Sequence, residues 1–142
     1  MKTALLGASL FLGVLAGATA GIFSLVGLSM PVATALEEAL KLAAIFGAFA
    51  LCGRKGITLA GGAACGLLAG IGFGAAELAN YFIVYYYHDL SLWSARLPPL
   101  AMHAFTGAIL GCAVYAGAKD KRWLAAGFIA AVAVHLAFNY LI

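Results

Sequence analysis

Glu37, Glu38, Glu77, His103 and His135 lie inside segments that are otherwise built for lipid. An ionised side chain at the bilayer centre costs about 2.5–3.5 kcal/mol on insertion scales. Several together approach the whole stability of a typical domain, about 5–15 kcal/mol, so the group is read as functional. Glu37-Glu38-Ala39-Leu40-Lys41 is the most specific local pattern. Lys41 is i+4 from Glu37 and i+3 from Glu38, so its ammonium can neutralise either. Adjacent glutamates point about 100° apart on a helix, which suits them to different tasks. Two close carboxylates in a low dielectric favour a shared proton, as a general acid or base near neutral pH requires. Asn80 follows Glu77 by one turn, and His135 and Asn139 share a helix face, as do His103 and Gly107. A neutral histidine and an asparagine amide can donate hydrogen bonds to a developing oxyanion. The candidate catalytic residues are therefore Glu37, Glu38, Glu77, His103, His135 and Asn139, with Lys41 and Asn80 in support.

These groups need elements to hold them. The chain has 142 residues, 65% hydrophobic and 9% charged, where a soluble domain is nearer half apolar and a quarter charged. An all-α integral membrane protein follows, a single compact bundle over residues 1–142 in contact with the lipid bilayer. Five segments reach the length of about 20 apolar residues that a span requires: residues 4–28, 32–52, 58–87, 99–118 and 123–141. Turn residues separate them at Ser29-Met30-Pro31, Gly53-Arg54-Lys55-Gly56, His88 to Pro99, and Lys119-Asp120-Lys121-Arg122. Lys2, Arg54, Lys55, Lys119, Lys121 and Arg122 fall on one side of a five-span zigzag. The positive-inside rule makes that side cytoplasmic, with the N-terminus inside, the C-terminus outside, and the cell membrane as the expected location. The opposite loop carries Tyr85, Tyr86, Tyr87 and Trp93, an aromatic belt. A cleaved leader ending at Ala18-Thr19-Ala20 is the competing reading of the first span, but its apolar run continues to Leu28, too long for a signal h-region.

Counting at 1.5 Å per residue places Glu37, His103, His135 and Glu77 about 7–15 Å from the outer ends of their spans. The polar groups are expected to meet in one cavity in the outer half of the membrane. Gly62, Gly66, Gly70 and Gly74 form a small-residue stripe on the third span, and Gly13, Gly17 and Gly21 another on the first; such stripes let helices approach closely. His88 and Asp89 are expected to be solvated, and Arg96 interfacial. Cys52, Cys65 and Cys112 have no metal-binding spacing and read as small buried hydrophobes. The net charge of +3 is too small and dispersed for a nucleic-acid surface. HExxH, GxSxG, phosphate-loop and dinucleotide motifs are all missing, so activated water is preferred to a nucleophilic side chain.

Glu37-Glu38-x-x-Lys41, Phe73-x-x-x-Glu77, His103-x-x-x-Gly107 and His135-x-x-x-Asn139 occur in the order seen in PrsW-type membrane proteases. The pattern resembles those proteins and their relatives, the CAAX prenyl endopeptidases and Abi proteases. The resemblance implies hydrolysis of membrane-anchored proteins or peptides near the outer face. It implies Glu37 as the water-activating group, supported by Glu38 and Lys41, with His135 and Asn139 stabilising the oxyanion and His103 orienting water or substrate. Glu77 stands where CAAX relatives carry histidine. No cofactor is expected; a zinc variant would use His103, His135 and Glu77, a His₂Glu set. The rival readings are a helix-binding scaffold without activity, a proton- or metal-coupled transporter, and bis-histidine haem binding.

Overall fold

The apolar runs fold into five helices: α1 (Thr3–Ser24), α2 (Met30–Cys52), α3 (Leu59–Tyr85), α4 (Ser91–Gly117) and α5 (Lys121–Leu141). The structure, a computed structural model, describes residues 3–24, 26–85 and 91–141, and among them there is no strand. The loop residues His88 and Asp89 and the belt residues Tyr86 and Tyr87 lie outside the described residues, as do the side chains of Tyr85 and Trp93. Helices α1, α3, α4 and α5 are long and apolar enough to cross a membrane. Phe11, Ile22, Ile83, Phe105 and Ile129 point outward from them, as lipid-facing side chains do. The chain is a helical membrane protein. Helix α2 has the length of a span, but Glu37, Glu38 and Lys41 interrupt its apolar character.

Local chemistry sets the helix ends. Pro31 sits in the first turn of α2, where a missing N–H costs nothing. Gly53 ends that helix at φ 77°, a conformation that favours glycine, and its N–H caps the Phe49 carbonyl at 2.9 Å. One boundary differs from expectation. Helix α4 begins at Ser91, so Pro98 and Pro99, expected in the preceding loop, lie inside it. Their missing N–H groups delete two intrahelical bonds, which membrane helices tolerate when neighbours or local adjustments satisfy the carbonyls.

Helix α3 is the spine, packed between α1 and α4 through both glycine stripes. A Cβ on Gly13 or Gly17 would run into the backbone of Ala69 or Phe73, and one on Gly62 or Gly66 into the backbone of Gly111. At Gly70 a Cβ would lie 2.7 Å from the His103 carbonyl carbon and 2.9 Å from the Ala104 Cα. This contact sets the position of His103. Gly70→Ala is expected to lower the unfolding free energy in micelles by about 1–3 kcal/mol, the usual cost of overpacking. Gly7→Ala, where nothing lies within 4 Å, should leave the denaturation midpoint unshifted or slightly raised.

The bundle is divided by depth. Leu5, Ile45, Phe49, Cys65, Leu110 and Val114 form a buried apolar core in the half that contains the start of α1 and the end of α2. Cys52, Cys65 and Cys112 are free thiols. The opposite half holds the buried polar residues Thr34, Glu38, Lys41, His103, Thr106 and His135, while Ser9, buried in the apolar half, donates its hydroxyl to the Leu5 carbonyl at 2.9 Å.

Candidate functional site

Thr34, Glu38, Lys41 and Ile45 recur at the spacing of one helix face, and all four are buried. That face meets α4 and α5 through a single carboxylate oxygen. Glu38 Oε1 accepts from Lys41 Nζ at 2.5 Å, from His135 Nδ1 at 2.7 Å and from the Thr106 hydroxyl at 3.3 Å. Lys41 and Glu38 are both fully buried; without each other, each would leave a charge unpaired in a low dielectric. The second oxygen, Glu38 Oε2, is buried with no hydrogen-bond partner among the described residues.

Lys41 has three protons and three acceptors: Glu38 Oε1, Thr106 Oγ1 at 2.8 Å and His103 Nδ1 at 3.2 Å. The ammonium lacks an acceptor lone pair, so His103 Nδ1 must accept. The ring proton of His103 therefore resides on Nε2 and is donated to Glu77 Oε2 at 2.7 Å. The same reasoning assigns His135. Glu38, ionised against Lys41, takes the Nδ1 proton of His135 at 2.7 Å, so in the neutral ring Nε2 carries a lone pair, 3.6 Å from Glu37 Oε2. Phe73 floors the site, 5.0 Å from the His103 ring and 5.2 Å from Lys41 Nζ. The two imidazoles meet edge to face at 5.0 Å.

The structure thus brings Glu37, Glu38, Lys41, Glu77, His103 and His135 into one cluster. The carboxylates differ in access: Glu37 is 24% exposed and Glu77 30%, whereas Glu38 is fully buried. Asn139 joins at the edge, its amide donating to Thr34 Oγ1 at 3.2 Å. Asn80 does not join. Its amide lies against Gly21, where a Cβ on that glycine would collide with it. The expected support of Glu77 by Asn80 is therefore corrected: α3 is packed on both sides, and the two side chains serve opposite interfaces. Gly107 packs against Gly66 and Gly70. The Arg96 guanidinium stacks 3.7 Å above the Tyr81 ring, a cation–π contact.

Thr34 and Thr106 were not among the candidates read from sequence. Each sits one turn from a chosen residue, Thr34 four before Glu38 and Thr106 three after His103. That spacing is the signal by which they can be found.

A metal set also differs from expectation in its carboxylate. Glu37, His103 and His135 each offer a ligand atom within 4.8 Å of the others; Glu77 is engaged with the His103 ring proton instead. Outer-shell support for zinc is present in Glu38 behind His135, the carboxylate–histidine arrangement of many zinc sites. His103 fits less well. Ligation through its Nε2 would move the proton to Nδ1, against the Lys41 ammonium 3.2 Å away, so two donors would face each other.

Compared with protein-family models, curated proteins and solved structures, the chain has no match.

Proposed function

We propose that the protein is a glutamate-dependent intramembrane endopeptidase that cleaves membrane-anchored proteins or peptides with activated water. The observation that carries this reading is the approach of Glu37 Oε2 to His135 Nε2 at 3.6 Å. With the carboxylate ionised and the ring neutral, both atoms are acceptors facing one small volume, and a water molecule donating to both is held with its own lone pair free to attack. Glu37, the partly exposed member, takes the water proton while the oxygen adds to the scissile carbonyl carbon. Glu38 fixes the tautomer and plane of His135, as an orienting carboxylate does in other hydrolytic sites. This tautomer leaves His135 without an N–H for the oxyanion, so that role passes to the second amide hydrogen of Asn139.

The motif order resembling PrsW-type proteases supports the same reading. Orientation follows the positive-inside argument: the site lies in the half opposite Arg54 and Lys55, which is the outer half if those residues are cytoplasmic. The cell membrane is the location proposed, and a single-span protein entering from lipid is the substrate class.

The test is co-reconstitution with a panel of single-span membrane proteins, with new termini identified by mass spectrometry. A cut made by wild type and lost in Glu37→Ala, with folding intact, supports the proposal; no cut across the panel favours a helix-binding scaffold. A metal-free mechanism further predicts that chelator-treated protein keeps its full cleavage rate. Stoichiometric zinc in that protein, with loss of activity on its removal, would assign Glu37, His103 and His135 as ligands instead.

A further inference from the structure

The end of the bundle opposite the polar cluster carries a feature that hydrolysis does not use. A cavity of about 110 Å³ lies there, lined by Phe49, Arg54, Ile57, Val114, Tyr115 and Ala118. Its size approaches that of the ~150 Å³ apolar cavity that takes up benzene. Among the lining residues only Arg54 is charged. Phe49 and Val114 belong to the buried apolar core, whereas Arg54 lies just beyond the end of α2. The cavity therefore runs from a cation at the end of the bundle into its apolar half.

The local chain holds Arg54 in place. Gly53 leaves α2 at φ 77° and Gly56 turns the chain again at φ 79°, both in the region that favours glycine. Between them the Ile57 N–H donates to the Arg54 carbonyl at 3.2 Å. The guanidinium folds back over Phe46 and Phe49, 5.5 and 5.4 Å from their ring centroids, within cation–π reach. Its five N–H donors stay uncommitted, since among the described residues Arg54 makes no side-chain hydrogen bond or ion pair. Lys55, Lys119, Lys121 and Arg122 share this end and are exposed. The one carboxylate described there, Asp120, accepts from the Arg122 backbone N–H at 2.9 Å. The protein supplies Arg54 with no counter-ion of its own among these residues.

A guanidinium fixed at the mouth of an apolar cavity suits an anion that carries an apolar tail. Trp123, 61% exposed near the start of α5, marks this end as a membrane–water boundary, where tryptophan is enriched. The anions that attract basic segments at such a boundary are lipid headgroups. We infer that the cavity binds one anionic phospholipid. Arg54 takes the phosphate through its planar fork of donors, and Phe49, Ile57, Val114 and Tyr115 take the first part of an acyl chain. The surplus of cations around the mouth selects an anionic headgroup over a zwitterionic one. The site lies apart from the polar cluster and does not depend on peptide hydrolysis.

The test adds phosphatidylglycerol or phosphatidylcholine to the full chain in detergent micelles and counts retained lipid by native mass spectrometry. Wild type is expected to retain one phosphatidylglycerol at concentrations where phosphatidylcholine is not held. Arg54→Gln should weaken that binding by about 10–10²-fold, the worth of hydrogen bonds to a charged group. Lys119→Gln removes the same charge outside the cavity and should weaken it by about five-fold or less, as for one basic residue near an anionic surface. Ala118→Leu keeps every charge but crowds the cavity, and should weaken binding by at least about five-fold, as overpacking does. All three positions are exposed, and matched denaturation midpoints confirm folding. Equal weakening by Arg54→Gln and Lys119→Gln, or no effect of Ala118→Leu, overturns the site in favour of a diffuse basic surface. Equal retention of phosphatidylcholine, or no lipid retained by wild type, overturns it as well. Displacement of phosphatidylglycerol by equimolar inorganic phosphate overturns the lipid in favour of a free anion.

Discussion

Lys41→Met is expected to destabilise the folded bundle by about 3–5 kcal/mol, the cost of breaking a buried ion pair from one side. The substitution keeps the length and apolar stem of the side chain but removes the three donors that hold Glu38 Oε1, Thr106 Oγ1 and His103 Nδ1. Glu38 is fully buried, and its other oxygen has no partner among the described residues, so the carboxylate has little means of compensating. The loss should be read as a shifted denaturation midpoint in micelles. Glu38→Met combined with Lys41→Met removes both charges, and should be less destabilised than the lysine variant alone by more than 1 kcal/mol. A coupling of that size is ordinary for residues in direct contact. Additive effects would show that the 2.5 Å pair contributes nothing beyond its separate parts.

Glu37→Gln is the second large effect, and it should appear in rate and not in stability. Glu37 is partly exposed, and its His135 neighbour lies at 3.6 Å, beyond hydrogen-bond distance. Glutamine preserves its shape, so the unfolding midpoint is expected to move by less than about 0.5 kcal/mol, as for other substitutions away from buried networks. Glutamine cannot take a proton from water, so cleavage should fall by about 10²–10⁴-fold. Glu38→Gln makes the informative contrast. It also weakens the Lys41 and His135 contacts, so rate and stability should fall together.

Much of the architecture was legible because lipid leaves so few options. Apolar runs of span length must form helices there, and the two glycine stripes marked the faces on which α1 and α4 approach α3. The start of α4 was not legible. Pro98-Pro99 reads as a loop in any local rule, and only packing around the helix overrides it. Counting along antiparallel spans was enough to anticipate that Glu37, Glu77, His103 and His135 share a layer, since residue rise is fixed whatever the side chains do. Face assignment was harder. Asn80 is one turn from Glu77, but α3 buries two faces, and spacing alone does not say which neighbour each residue meets. Thr34 and Thr106 escaped because threonine is common in membrane helices. Their role appears only when Lys41 and Asn139 are seen to need an acceptor. The hydrogen-bond partners of His103 and His135 come from helices up to 97 positions apart in sequence and have no local signature.

The most direct measurement is single-turnover cleavage of a co-reconstituted single-span protein in isotopically labelled water, comparing wild type with Glu37→Gln at matched folded fraction. The expected result is a discrete cut by wild type, label in the new C-terminal carboxyl, and a rate lower by at least about 10²-fold in the variant. Equal rates in the two proteins would contradict the role of Glu37. Absence of any labelled terminus from the wild-type reaction would contradict hydrolysis itself.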